Sequence, residues 1–239
     1  MNRAALPACL LAACLLAACG GPGIQRKDGS SSARDFSLRD LAKSDVDDVI
    51  EIHQQDAIAT LRTLTLKLYR RNPNEWRKSG FASADAATAS VFDPLPHWRL
   101  AAQKNLDWQS SLRDAWRDDY AGDRVRALMD GLLVMHMAAY GHHTEFYRLT
   151  DIDAQKLYNA ARNTEAVVWK LSTARGPRGE PRLLSNGVGV NGAANLSFER
   201  EFGKLIGNDD TLAKIVEDKS NRAIRFGIVN VATMAFLPI

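Results

Sequence analysis

Apolar residues recur every three or four positions along most of the chain, which is the spacing of one face of an α-helix. The longest such pattern follows Ser44-Asp45-Val46-Asp47, where a carboxylate comes three residues after a hydroxyl, as is typical of a helix start. Asn72-Pro73 ends the pattern, because proline disfavours helical geometry at the residue before it. We expect a first helix between these signals, with an apolar stripe made of Val46, Ile50, His53, Ala57, Leu61, Leu64 and Leu68.

Similar patterns predict further helices at about 97–119, 123–141, 151–174, 197–207 and 209–235. No helix is assigned to 79–96, which is rich in Ser and Ala and ends in the chain break Asp93-Pro94-Leu95-Pro96. A short hairpin is possible near 182–192. The prediction is an all-α fold, with one bundle-like domain of about six or seven helices over residues 36–239.

The N-terminus has a different pattern, MNRAALPACLLAACLLAACGGPG. Arg3 precedes an apolar run from Ala4 to Ala18, which is shorter than the roughly 20 residues that a spanning helix needs and has the features of a signal peptide. The run ends in Leu16-Ala17-Ala18-Cys19-Gly20, which resembles the bacterial lipobox, where the cysteine receives the lipid and becomes the mature N-terminus.

Cys14 competes with Cys19 for this role, because Leu11-Ala12-Ala13-Cys14 is also lipobox-like. Cleavage at Cys14 would leave a mature chain that begins with more apolar sequence. Cys19 is instead followed by glycines and a polar stretch, which suits a flexible tether. We therefore predict a signal peptide at 1–18, a lipidated Cys19 that begins a tether over 19–35, and a helical periplasmic domain after it.

By resemblance to lipoprotein sorting, the residue after the lipidated cysteine indicates the membrane. Gly20 is not the aspartate that is associated with inner-membrane retention, so we expect the periplasmic face of the outer membrane. The inner membrane stays open as an alternative.

Composition excludes several kinds of chemistry. The chain has 31 Lys and Arg against 28 Asp and Glu, and these charges are scattered, so we expect no nucleic-acid partner. Its three cysteines all lie within the first 19 residues. The rest of the chain therefore has no cysteine for a disulfide, a zinc-thiolate site or a nucleophile.

Gly187-Val188-Gly189-Val190-Asn191-Gly192 matches the spacing G-x-G-x-x-G of dinucleotide-binding loops. That fingerprint needs a strand before it, a helix after it and a second parallel strand, and the sequence predicts no such unit. The glycines and asparagines suit a turn equally well. We expect no nucleotide and no other cofactor.

Three histidines are the candidates for a metal or catalytic site. His53 lies on the stripe of the first helix, while His136 and His143 are predicted to share one face of the helix at 123–141. Packing of these two helices would bring three imidazoles together, which suits zinc, iron or copper. However, the usual pair of ligands four residues apart is missing, and a histidine bonded to a carbonyl in the core explains the pattern more simply. We therefore predict no metal.

Catalytic motifs are also missing. The mature chain has neither a G-x-S-x-G elbow nor an S-x-x-K motif. The pairs Asp118-Asp119 and Asp209-Asp210 are interpreted as charges at helix ends, with Asp209-Asp210 at a helix N-terminus. We expect no catalytic residues.

Several sequence segments together resemble those of a family of proteobacterial lipoproteins without an assigned biochemical function. These segments are KLYRRNPNEWRK, AGDRVRALMDGL, LYNAARNTEAVVWKLS, ANLSFEREFGKLI and MAFLPI. This resemblance implies one lipid-anchored domain over nearly all of the mature chain, and it brings no catalytic residues. The expected function is that of a non-enzymatic scaffold or accessory lipoprotein with an envelope protein as its partner. The alternative is a metal-binding or hydrolytic envelope protein that uses His53, His136 and His143.

Overall fold

The computed structural model describes residues 43, 45–147, 150, 152–188, 192 and 194–220. Within them the chain forms seven α-helices and one two-stranded antiparallel sheet, so the prediction of an all-α fold is confirmed. The described residues from Val46 onward belong to one compact unit. The predicted signal peptide, Cys19, the tether and the C-terminal stretch 221–239 lie outside the described residues.

The elements follow one another in a simple order. The long helices are α1 (Asp45–Arg71), α5 (Arg124–Ala139), α6 (Ala154–Thr173) and α7 (Ser197–Ser220). The short helices are α2 (Pro73–Lys78), α3 (Ala84–Phe92) and α4 (Trp108–Asp114), with 3-10 helices at Leu95–Leu100 and Ala102–Asn105. Strands β1 (Gly187–Val188) and β2 (Ala194–Asn195) pair antiparallel, with Gly187 opposite Asn195. The hairpin therefore lies close to the predicted position near 182–192.

Several helices begin at a side chain that caps their first turn. The capping oxygen accepts a hydrogen bond from a backbone N–H that has no partner inside the helix. The capping residues of α3, α4, α5 and α6 are Ser83, Asp107, Asp123 and Asp153. Asp153 caps α6 by accepting a hydrogen bond from the N–H of Gln155, while the hydroxyl of the nearby Thr150 accepts one from the N–H of Tyr147.

Helix α5 runs through the core and is buried on every side. Its buried apolar side chains include Val125, Leu128, Met129, Leu132, Leu133 and Met135. The predicted stripe of α1 is largely confirmed, because Ile50, Ala57, Leu61, Leu64 and Leu68 are all buried. Helix α7 contributes a further buried row of Phe198, Phe202, Leu205, Leu212 and Val216. Burial of this apolar surface supplies most of the free energy of folding.

Buried polar groups at the start of α5 tie it to its neighbours. The Arg124 guanidinium donates to the carbonyl oxygens of Ala115, Arg117 and Tyr120 at 3.1, 2.7 and 2.7 Å. The Asp123 carboxylate accepts hydrogen bonds from the N–H of Arg126 and from the hydroxyl of Tyr69. Burial, followed by the nearby charge of Asp123, raises the pKa of Tyr69, so its hydroxyl stays a donor.

Two predicted helix boundaries are wrong. The single helix expected at 97–119 is replaced by two 3-10 helices and α4, because the backbone is extended at Ala101 and Leu106. Helix α3 occupies part of the stretch 79–96, to which no helix was assigned.

The break expected between 207 and 209 is also wrong, because α7 is continuous from Ser197 to Ser220. Asn208 and Asp209 bond to side chains of other helices and do not cap a new helix. The interpretation of Asp209-Asp210 as charges at a helix N-terminus fails for the same reason.

No helix within the described residues is both long enough and apolar enough to cross a membrane.

Replacement of a core leucine of α5 tests the buried position of this helix. Leu132 is fully buried, so Leu132→Ala should lower the free energy of unfolding by about 2–5 kcal/mol through the cavity that it leaves. The matched control is Leu100→Ala, since Leu100 is 88% exposed and its loss should change stability by less than about 0.5 kcal/mol. Urea titration of the full chain, followed by circular dichroism, measures both values. Equal effects of the two substitutions would contradict the core position of α5.

Candidate functional site

His136 and Asp209 form a hydrogen-bonded pair in the core, between α5 and α7. Nε2 of His136 lies 3.0 Å from Oδ2 of Asp209, and Nδ1 lies 2.8 Å from the carbonyl oxygen of Leu132. The two side chains are 3% and 0% exposed. This pair is a fully buried polar contact that joins two of the long helices.

The two bonds of His136 determine its protonation. Both partners are acceptors, so both ring nitrogens carry hydrogen when Asp209 is ionised. Burial by itself lowers the pKa of His136, but the Asp209 carboxylate and the Leu132 carbonyl together outweigh burial and raise this pKa above its ordinary value. The contacts of His136 therefore favour the protonated imidazole over the neutral one.

The negative charge of the buried Asp209 carboxylate is compensated by His136. Its second oxygen, Oδ1, is buried and has no hydrogen-bond partner among the described residues. The Tyr140 phenol is also buried, and burial followed by the Asp209 charge raises the pKa of Tyr140 well above its usual value. Loss of the imidazole would leave a buried carboxylate without a counter-charge, which costs about 3–5 kcal/mol.

His53 is joined to the neighbouring residue of α7. Nδ1 of His53 lies 2.7 Å from Oδ1 of Asn208, and the Asn208 amide donates to the backbone oxygen of His53 at 2.9 Å. The adjacent residues Asn208 and Asp209 therefore connect α7 to α1 and to α5. Both histidines join helices.

His143 does not lie on α5, so the prediction that His136 and His143 share one helix face is wrong. Helix α5 ends at Ala139, and the chain then turns through Gly141 and His142, whose φ angles are +63° and +58°. Gly141 makes this reversal easy, because glycine has no side chain to oppose a positive φ. The His143 ring lies edge-on to Phe146, with 6.2 Å between the ring centroids.

The described part of the chain contains no group of three or more His, Cys, Asp or Glu residues arranged to hold a metal ion. His53, His136 and His143 are thus not brought together as one ligand set. The expectation of a protein without metal stays a prediction.

The G-x-G-x-x-G stretch begins in a hairpin. Gly187 and Val188 form β1, which pairs antiparallel with β2, while residues 189–191 lie outside the described residues. Dinucleotide loops follow a strand of a parallel sheet, and the described strands form no such sheet. The arrangement does not support a nucleotide site here.

A cleft of about 700 Å³ opens between α4 and α6. We call it the α4–α6 cleft. One wall is formed by α4 and the turn after it, with Ser110, Arg113, Asp114, Trp116 and Arg117. The other wall is formed by α6, with Ala166, Val167 and Lys170. The cleft thus combines cationic groups with apolar surface. Such a lining is suited to binding a ligand.

Sequence reasoning missed both Asp209 and the α4–α6 cleft. A signal for Asp209 was present, because Leu205, Asp209, Leu212 and Val216 have helical spacing and lie on one face. A carboxylate on an apolar stripe requires a buried partner. The cleft had no comparable signal, because its walls are far apart in the sequence.

The raised pKa of His136 predicts a pH-dependent stability. Its contribution is fully present below the ordinary histidine pKa of about 6.5 and is lost as the pH rises through the raised pKa of the folded state. We expect His136→Gln to lower the free energy of unfolding by about 3–5 kcal/mol at pH 6, and by less at pH 9. Urea titrations of the full chain at both pH values measure this difference.

The control is His97→Gln, which changes an exposed histidine and should leave the wild-type pH dependence in place. A stability loss of His136→Gln that is the same at pH 6 and at pH 9 would contradict the charged pair.

Comparison of the chain with protein-family models, with curated proteins and with solved structures found no match. The resemblance to a proteobacterial lipoprotein family therefore stays a prediction, and function has to be argued from the chemistry of the chain.

Proposed function

We propose that this protein is a lipid-anchored component of the bacterial cell envelope and acts by binding, as a non-enzymatic scaffold or accessory protein. The anchor would be Cys19, in the sequence Leu16-Ala17-Ala18-Cys19-Gly20. The stretch 19–35, which the sequence predicts to be a tether, would separate the helical domain from the periplasmic face of the outer membrane. Because each buried methylene adds about 0.8 kcal/mol, attachment through several acyl chains would be effectively permanent.

The main support for a binding role is the position of the histidines, which are the candidate catalytic or metal-binding side chains. The His136 imidazole is 3% exposed and has both ring nitrogens bonded within the protein, so neither nitrogen is open to exchange a proton with a bound molecule. His53 is bonded to Asn208 in the contact between α1 and α7. The histidines thus join helices, which weakens the alternative of a metal-binding or hydrolytic protein built on His53, His136 and His143.

The surface near the hairpin supports a protein partner. Leu184, Val188 and Leu196 are 45%, 73% and 61% exposed, and all three line one groove. Large apolar side chains that are exposed side by side are typical of contacts with another protein. We call these three residues the apolar groove and propose that an envelope protein binds there.

Labelling with radioactive palmitate in intact bacteria tests the anchor. The wild-type chain should take up label, and Cys19→Ala should abolish uptake, because the thiol is the acceptor of the lipid. Cys14→Ala is the matched control and should keep its label. Label retained by Cys19→Ala and lost by Cys14→Ala would move the anchor to Cys14, whereas label retained by both variants would contradict a cysteine-linked anchor at either position.

Photo-crosslinking in intact cells tests the apolar groove. A photoreactive amino acid at position 196 should form a recurring adduct with one envelope protein, while the same amino acid at position 100 should not, although Leu100 is 88% exposed. Leu184→Asp should reduce the adduct, since the contact would bury an unpaired charge. Adducts with lipid or glycan alone, or equal adducts from both positions, would contradict this proposal.

A further inference from the structure

The two walls of the α4–α6 cleft each combine charge with an apolar or neutral surface. On one wall, Arg113 lies on α4 and Arg117 lies just after the end of α4, and both line the cleft. On the other wall, Lys170 follows Ala166 and Val167 by four and three residues, so all three share one side of α6. The cleft is therefore cationic on both walls.

The charges of Arg117 are already compensated. Its guanidinium donates to Asp119 at 2.9 and 2.5 Å and to Asp114 at 3.2 Å. Asp114 also lines the cleft, so these groups form a closed ion-pair network in its wall. Arg117 thus contributes little charge that a ligand would meet.

Arg113 and Lys170 differ from Arg117 in this respect. Arg113 donates to the neutral hydroxyl of Ser110 at 2.8 Å, and its nearest carboxylate, Asp107, is 3.9 Å away in an exposed pair. Lys170 forms no side-chain hydrogen bond or ion pair with the part of the chain that the structure describes. The cleft therefore presents the ammonium of Lys170 and the guanidinium of Arg113, whose ion pair with Asp107 is long and solvent-exposed and thus compensates its charge only weakly.

The rest of the lining is apolar. Ala166 and Val167 are almost fully buried at 6% and 1% exposed, so the half-buried Trp116 supplies most of the apolar surface that a ligand could reach. A small hydrophilic ion would leave the Trp116 ring in contact with water, and a purely apolar molecule would leave the ammonium of Lys170 uncompensated. The volume of about 700 Å³ lies within the range of roughly 300–1,000 Å³ that is usual for ligand sites.

We infer that the α4–α6 cleft binds a small amphiphile in which one anionic group, a carboxylate or a phosphate, is joined to an apolar body. The anionic group lies between Arg113 and Lys170, and the apolar body lies against Trp116. This inference goes beyond the proposed function and does not depend on the lipid anchor.

The probe for this inference is 4-phenylbutyrate, which carries one carboxylate and one aromatic group. Isothermal titration calorimetry of the full chain in lipid nanodiscs, with empty nanodiscs subtracted, should show saturable binding at one site. The neutral 4-phenylbutanamide should bind at least about tenfold more weakly, because it lacks the charge that strengthens the hydrogen bonds. Acetate should not bind detectably, because it lacks the apolar body. The same titration with phenethyl phosphate distinguishes a phosphate site from a carboxylate site.

Matched variants assign the binding to this cleft. Lys170→Met and Arg113→Met keep the length of the apolar stem but remove the charge, and each should weaken binding of 4-phenylbutyrate by about tenfold or more. Lys156→Met makes the same lysine substitution near the start of α6, outside the cleft, and should bind as the wild type does. Thermal unfolding should give the same midpoint for all three variants, which separates lost binding from lost folding.

Several results would overturn the inference. These are absence of saturable binding of both anionic probes, equal affinity for the amide, and wild-type affinity in Lys170→Met and Arg113→Met. Failure of palmitate labelling would contradict the anchor. The titrations would then use the full chain without nanodiscs and should give the same affinities, so the two proposals fail independently.

Discussion

The structure depends on one constraint, which is that helix α5 has no side that faces solvent. A polar group on such a helix has to find its partner inside the protein, because an unpaired buried group costs about 1–3 kcal/mol and an unpaired charge costs more. Helix α5 and its cap carry Asp123, Arg124, Asp130 and His136, and all four are buried. Each of them bonds to a different part of the chain.

These bonds determine which elements surround α5. Asp123 accepts from Tyr69 of α1, Arg124 binds the carbonyl oxygens of the segment 115–120, and Asp130 accepts from Gln103 at 2.7 Å. His136 binds Asp209 of α7. Apolar burial is not directional and would stabilise many arrangements of the helices. The polar groups favour one arrangement, because the others would leave buried donors and acceptors unpaired.

The same constraint engages the titratable groups of the core with other elements. The imidazole of His136 and the carboxylate of Asp209 bond to each other between two helices. Side chains that a partner would meet lie elsewhere, in the cationic α4–α6 cleft and in the apolar groove beside the hairpin. We therefore propose a protein that binds, held at a membrane by a segment whose chemistry is independent of the fold.

The sequence by itself determined the all-α class, the extent of α1 and its buried stripe, because a period of three or four residues reports which side of a helix is buried. It also carries the whole argument for Cys19, since a lipobox is a local motif. Only the tertiary structure decided the role of Asp209, which resembles a helix-end charge in the sequence but bonds to His136, 73 residues away. It also decided the end of α5 before His143 and the cleft between α4 and α6. The physical reason is that local periodicity predicts that a residue is buried, whereas its partner depends on which helices pack together.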